Sequence, residues 1–118
     1  MLLLFIDIHN FKMAYYHVHG IIPDPISQSE GYKLFTKYIE LGAPKDNFDG
    51  FAIISRVHAP QTGEVFVTCI ADNHLKVAEH FDVWRSKFGV EWNFIPVLND
   101  EEVILRNKKL KDEIADLA

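Results

Sequence analysis

Residues 51–71, FAIISRVHAPQTGEVFVTCIA, decide how the rest of the chain is read. They divide into two alternating runs joined by Pro60, Gln61, Thr62 and Gly63. β-Branched residues dominate both runs (Ile53, Ile54, Val57; Val65, Val67, Thr68, Ile70), as a pleated, half-buried surface favours. Proline and glycine between two such runs are the punctuation of a short hairpin loop. The segment is therefore expected to be an antiparallel hairpin, with the remaining elements arranged about it.

Upstream, residues 2–9 read as a first strand. Leu2, Leu4, Ile6 and Ile8 form a wholly apolar face, while Leu3, Phe5, Asp7 and His9 form one that turns polar. Residues 10–26 carry aromatics, two histidines and two prolines. Pro23 and Pro25 forbid a regular helix there, so the segment is expected to be an insertion loop. It either packs its aromatics over the domain edge or serves as a lid or an arm onto a partner. A helix follows, opened by the capping-box spacing of Ser27 and Glu30, lined by Tyr32, Leu34, Phe35, Tyr38, Ile39 and Leu41, and closed at Gly42.

Downstream, Asp72 or Asn73 caps a second helix whose stripe is Val77, Phe81, Trp84 and Phe88, ended by Gly89. Residues 90–97 form a last strand, with Pro96 suited to a sheet edge. Asn99 and Glu102 have capping-box spacing and open a helical tail over residues 99–118. The order β-α-β-β-α-β plus a C-terminal helix predicts one α+β domain over residues 1–118. Its arrangement is ferredoxin-like, an antiparallel sheet with helices on one face.

Composition narrows the function classes. The 118-residue chain is 48% hydrophobic and 25% charged, with a net charge of −5. That balance argues against a nucleic-acid surface, which needs clustered Lys and Arg. The only basic cluster, residues 106–111, is flanked by acids and reads as a solvated helix face. MLLLFIDI lacks the basic start and cleavage site of a signal peptide and is too short to span a membrane. The single cysteine, Cys69, lies mid-strand among apolar residues and reads as a small buried hydrophobe; with no disulfide to form, the chain suits the cytoplasm. A Gly-rich phosphate loop, a GxSxG elbow and paired cysteines are all missing, so nucleotide hydrolysis, dinucleotide oxidoreduction and serine hydrolysis fall away.

Helices on one face leave the other to be explained. Alternation assigns Phe51, Ile53 and Val57 to the helix side, with Val65, Val67, Cys69, Val90, Trp92 and Phe94. The open side then holds Leu3, Phe5, Asp7 and His9; Ala52, Ile54, Arg56 and His58; Glu64, Phe66, Thr68 and Ile70; and Glu91, Asn93, Ile95 and Val97. This mixture is too apolar for bulk water and too polar for a dry core, and such a patch ordinarily meets another chain. Leu3, Phe5, Ile54, Phe66, Ile70 and Ile95 are the expected dimer contacts in a two-fold, sheet-to-sheet homodimer.

This pattern resembles the dimeric α/β-barrel superfamily, small ferredoxin-like proteins that pair through their sheets. The hairpin together with EHFDVWRSKFGVEWNFIPVLNDEE, residues 79–102, resembles an uncharacterised family of small microbial proteins with no assigned activity. The resemblance covers residues 45–102, and its motifs are structural, so they carry no active residue over. The superfamily implies a range from cofactor-independent monooxygenases and haem-degrading enzymes to lyases of small organic acids and plain binding modules. A fold does not choose among these.

Candidate chemistry gathers in three places. Asp7, His9, Thr68, Glu91 and Asn93 are expected at one end of the open face. There a carboxylate can orient a histidine as a general base, or the groups set dimer register. At the other end, Arg56 and His58 lie near Glu64. Arg56 either grips a ligand carboxylate or, the favoured reading, pairs with Glu64 or with an acid of a second subunit. His17 and His19 project from the same side of an extended segment and need a third ligand from His9, His58 or Asp24. Without HExxH or CxxC, no metal or other cofactor is expected.

The sequence thus predicts a homodimer enclosing a small organic ligand, without nucleic-acid or membrane partners. An enzymatic alternative is a cofactor-independent monooxygenase or isomerase, with His9 or His58 as base and Arg56 or Asn93 steadying an anion. A second alternative is a purely structural dimer.

Overall fold

A computed structural model describes residues 13–117 as three helices and an antiparallel sheet. In chain order the elements are β1 (Ala14–Ile21), α1 (Pro25–Glu40), β2 (Asn47–Phe48), β3 (Phe51–Ala59), β4 (Glu64–Ala71), α2 (His74–Phe88), β5 (Glu91–Val97) and α3 (Asp100–Leu117). The five strands lie in the order β2-β3-β4-β1-β5, and every neighbouring pair is antiparallel. The fold is α+β, with an open sheet and α1 and α2 on one face.

The hairpin stands where the sequence places it, from Phe51 to Ala71. The first strand does not. Residues 2–9 lie outside the described residues, and the position between β4 and β5 is taken by Ala14–Ile21, inside the expected insertion. Its own alternation explains the correction. Tyr16, Val18 and Gly20 are buried toward the helices, while Tyr15, His17 and His19 face the other way. Pro23 and Pro25 break the chain only after this strand has ended.

Local chemistry sets the helix ends. Pro25 occupies the first turn of α1, and Asp24 is its cap, accepting from the Ser27 backbone N–H at 2.7 Å and the Ser27 hydroxyl at 3.1 Å. The Ser27–Glu30 box is therefore not formed, and Glu30 pairs with Lys33 instead. Asn73 caps α2, and Gly89 ends it in the left-handed region at φ 68°. At α3 the expected box is present: Asn99 N–H donates to Glu102 at 2.9 Å, and Glu102 N–H donates to the Asn99 side chain at 2.8 Å.

The core lies between α2 and the sheet, where Val77 and Phe81 pack on Tyr16, Val18, Phe51, Val65, Val67, Cys69 and Ala71. Burial pushes the Cys69 thiol up to about 12, so it stays protonated and inert. Neither α1 nor α3 contributes a fully buried side chain. Among the described residues no helix is long and apolar enough to cross a membrane.

One irregularity repositions the predicted site. Ile53 pairs with Cys69 and Ser55 with Thr68, so Ile54 is an extra residue that bulges out of β3. Side chains alternate with a period of two, so one inserted residue exchanges the faces of all that follow. Arg56 and His58 then stand opposite Val67 and Val65 on the helix side, and Val57 is turned outward at 60% exposure. This reverses the expected placement of all three.

Candidate functional site

Past the bulge, β3 forms the floor of a cleft between α1, α2 and the sheet. Tyr32, Phe35 and Tyr38 descend from α1, Trp84 and Phe88 from α2, and Arg56, His58, Val65, Val67 and Trp92 rise from the strands. The free space is about 60 Å³. A wider polar groove of about 420 Å³ adjoins it between the start of α1 and the β3–β4 turn. Ile22 and Tyr32 line both, so they stand at the junction.

The polar wall of the cleft is internally satisfied. Both guanidinium nitrogens of Arg56 donate to Asp46, each at 3.0 Å, and the Tyr38 hydroxyl donates to the same carboxylate at 2.7 Å. Burial works to raise the Asp46 pKa, but the hydrogen bonds from Arg56 and Tyr38 outweigh it and hold the carboxyl below its usual range. Burial and the bond to Asp46 push the Tyr38 phenol well above its usual value. The Lys45 N–H donates to the Tyr38 oxygen at 3.1 Å, and His80 Nδ1–H donates to the Lys45 carbonyl at 2.8 Å. Arg56 also lies over the Phe35 ring, 4.8 Å from its centroid. The ion-pair reading of Arg56 is thus realised with Asp46, not with Glu64.

At the junction, the Tyr32 hydroxyl and His58 Nδ1 share a hydrogen bond of 2.9 Å. Burial, then the charge of Arg56, lowers the His58 pKa and keeps the ring neutral near pH 7. The other walls are aromatic: Phe35 and Tyr38 meet Trp84 edge-on at 5.9 and 6.0 Å, and Trp84 stacks with Phe88 at 6.0 Å.

The remaining predicted residues are on the opposite face. There His17 lies beside Thr68 and Ile95, His19 beside Phe66 and Asn93, and Ile21 beside Glu64 and Glu91. Phe66 stacks with both histidine rings, at 6.4 Å from His17 and 5.0 Å from His19. His19 Nε2 bonds Glu64 at 2.7 Å, and the Thr62 hydroxyl and His19 together hold the Glu64 carboxyl below its usual range. Ile54 and Ile95 are exposed, whereas Ile70 is already fully buried within the chain. Leu3, Phe5, Asp7 and His9 lie outside the described residues. Among the described residues, no three His, Cys, Asp or Glu side chains are placed to hold a metal.

The structure therefore divides the predicted site. Arg56 and His58 go to the aromatic cleft; Thr68, Glu91 and Asn93 stay on the open face around His17 and His19. Sequence reasoning missed Asp46 as the partner of Arg56, Tyr38 as a further donor to Asp46, and Tyr32 as the partner of His58. The available signal was the run Phe51-Ala52-Ile53-Ile54, which breaks the alternation just where the bulge occurs.

Comparison with known proteins agrees with this fold. Residues 13–111 match the sequence profile of a family described as "Domain of unknown function (DUF3303)". Among solved structures, the chain is similar to "Structure of Rv0793 from Mycobacterium tuberculosis", with a TM-score of 0.50 at 16% identity. That match covers 73% of this chain and 96% of the other. Among curated proteins, none is detectably similar in sequence.

Proposed function

The chain belongs to the DUF3303 family, and for it we propose a homodimeric, ferredoxin-like module that binds a small organic molecule in the helix-side cleft. One observation carries the ligand reading. The aromatic walls under α1 are left open, and Tyr32, Phe35, Trp84 and Phe88, which line the gap, are only partly buried. Concave sites lined by aromatic side chains with a few polar groups are where small molecules bind. The polar groove at Tyr32 supplies an entry path.

The partner we propose is a second copy of the chain, seated across the open sheet. Ile54, Val57, Ile95 and Val97 are all exposed there around Phe66, and a two-fold axis would cover them on both copies at once. His17, His19, Glu64 and Asn93 would then set register by hydrogen bonds in a water-poor interface.

Native mass spectrometry of freshly purified protein, before and after mild denaturation, tests both parts. A dimer that releases a small-molecule adduct is expected. Gly31→Leu, which fills the cleft beside Phe88, should lose the adduct and keep the dimer. A clean monomer would sink the assembly; an adduct unaffected by Gly31→Leu would sink the cleft.

An enzymatic reading has one observation in its favour, the neutral His58 bonded to Tyr32 at the cleft entrance. As a general base it would carry about 10²–10⁴-fold of turnover, lost in His58→Gln. A binding module would lose only modest affinity in the same variant. The Arg56 guanidinium is committed to Asp46, so this wall offers no free cation to a developing oxyanion, and binding is the better supported reading.

A further inference from the structure

We infer that the cleft takes a small, uncharged aromatic compound carrying one hydrogen-bond acceptor, and that Trp92 selects it through its indole N–H. This deepens the binding reading above and rests on the cleft being the site. The inference starts from an unpaired donor. Trp92 Nε1 is buried and has no hydrogen-bond partner among the described residues, an arrangement that costs stability unless something else supplies an acceptor.

The indole is held in place by its other edge. It lies over Gly20 of β1 so closely that a Cβ there would come within 2.3 Å of Trp92 Cζ3 and 2.6 Å of Cε3. Phe81 packs on the ring at a centroid distance of 4.5 Å. Nε1 is on the side of the indole away from Cε3 and Cζ3, so the edge that carries the donor is turned from Gly20. Gly20 thus serves to seat this ring against the sheet, and none of the described residues pairs with the donor.

Charge and shape complete the ligand class. Arg56 is neutralised by Asp46, so an anionic ligand gains no ion pair at that wall. Phe35, Trp84 and Phe88 offer ring faces and edges suited to a planar ring. The present 60 Å³ is small beside the roughly 150 Å³ of an apolar cavity that admits benzene. Binding therefore requires α1 to move outward, which its lack of fully buried side chains permits.

Acetophenone, ethylbenzene and benzoate separate the possibilities. They share a ring, and differ in carrying a neutral acceptor, no acceptor, or a charge. Trp84 and Trp92 are the two tryptophans of the chain, so both indole N–H resonances in a ¹H–¹⁵N spectrum report on the cleft. Acetophenone is expected to move the Trp92 resonance downfield saturably and to bind about five- to tenfold more tightly than ethylbenzene. Benzoate is expected to bind no better than ethylbenzene. Trp92→Phe should abolish the preference for acetophenone while keeping ethylbenzene affinity within about twofold, because the ring wall survives without its donor.

Equal affinity for acetophenone and ethylbenzene in the unaltered protein would overturn the acceptor requirement and leave the cleft as a site. Tightest binding by benzoate would overturn the uncharged class. Failure of all three probes to shift either indole would overturn the cleft reading itself. The wild-type comparison decides the ligand class even where Trp92→Phe fails to fold.

Discussion

Arg56 and Asp46 meet as a fork, with Nη1 and Nη2 each 3.0 Å from a different carboxylate oxygen. The pair joins the loop after α1 to the far half of β3, and Tyr38 adds a third bond from α1 itself. It exists because the bulge at Ile54 turns Arg56 toward the helices.

Breaking this pair from one side should be costly. Asp46→Asn leaves a half-buried guanidinium short of its partner, and is expected to lower stability by about 2 kcal/mol in urea unfolding. A double-mutant cycle with Arg56→Met should return a coupling of roughly 1–3 kcal/mol. Additive losses would mean that the fork contributes nothing.

The bulge itself can be tested by deletion. Removing Ile54 shifts everything after it to the other face, sending Arg56 and His58 out and Val57 in. The variant should lose about 3 kcal/mol or more, or fail to fold, because Asp46 and Tyr38 are stranded. Ile54→Ala keeps the phase and removes a side chain that is 47% exposed, so it should cost no more than about 1 kcal/mol. Circular dichroism during denaturation distinguishes the two.

Two glycines offer opposite expectations. At Gly20 a Cβ would meet the Trp92 ring at 2.3 Å, so Gly20→Ala must displace a packed indole and should cost about 1–3 kcal/mol. At Gly31 the nearest atom, on Phe88, is 3.6 Å away, within ordinary contact. Gly31→Ala is expected to stabilise α1 by about 0.5–1 kcal/mol, as the helix loses less backbone entropy on folding. Thermal unfolding of both variants checks the pair.

Acid should weaken the fold before its carboxylates titrate. His58 and His80 both have lowered pKa values, in each case chiefly through burial. A histidine that is harder to protonate when folded leaves stability intact above the unfolded value of about 6.5. That stability falls as pH drops from there toward the lowered folded values. Melting temperature should therefore decline below about pH 6.5, and more gently in His80→Gln. An unchanged slope in that variant would show that His80 is not responsible. Asp46 acts lower down, since its lowered pKa confers stability above the ordinary carboxylate range that is lost on strong acidification.

The proposed dimer predicts its own disruption. Val57→Lys and Ile95→Lys put a charge on side chains that are 60% and 49% exposed in the single chain. Each should give a folded monomer by light scattering, with the circular dichroism of the parent. A dimer that survives both would remove the open sheet as the interface.

Local signals carried much of the architecture. The hairpin was legible because alternation and a Pro-to-Gly turn act within a few residues. The ends of α2 followed from the Asp72–Asn73 pair, of which Asn73 is the cap, and from Gly89, the start of α3 from Asn99 and Glu102, and the edge position of β5 from Pro96, each a matter of one missing or satisfied backbone bond.

Tertiary structure decided what local signals leave open. Residues 2–9 read as the first strand and residues 10–26 as an insertion loop, and only pairing with β4 and β5 shows that Tyr16 and Val18 occupy the place beside them. The phase of β3 was equally hidden, since the extra residue at Ile54 is defined by its register against Cys69 and Thr68. The cleft follows from that phase. By itself the sequence determined the hairpin, the last strand and the three helices, because turn chemistry, alternation and capping are satisfied locally. Which face Arg56 and His58 occupy, and that Asp46 and Tyr32 meet them there, depended on strand register and helix packing between residues far apart in the chain.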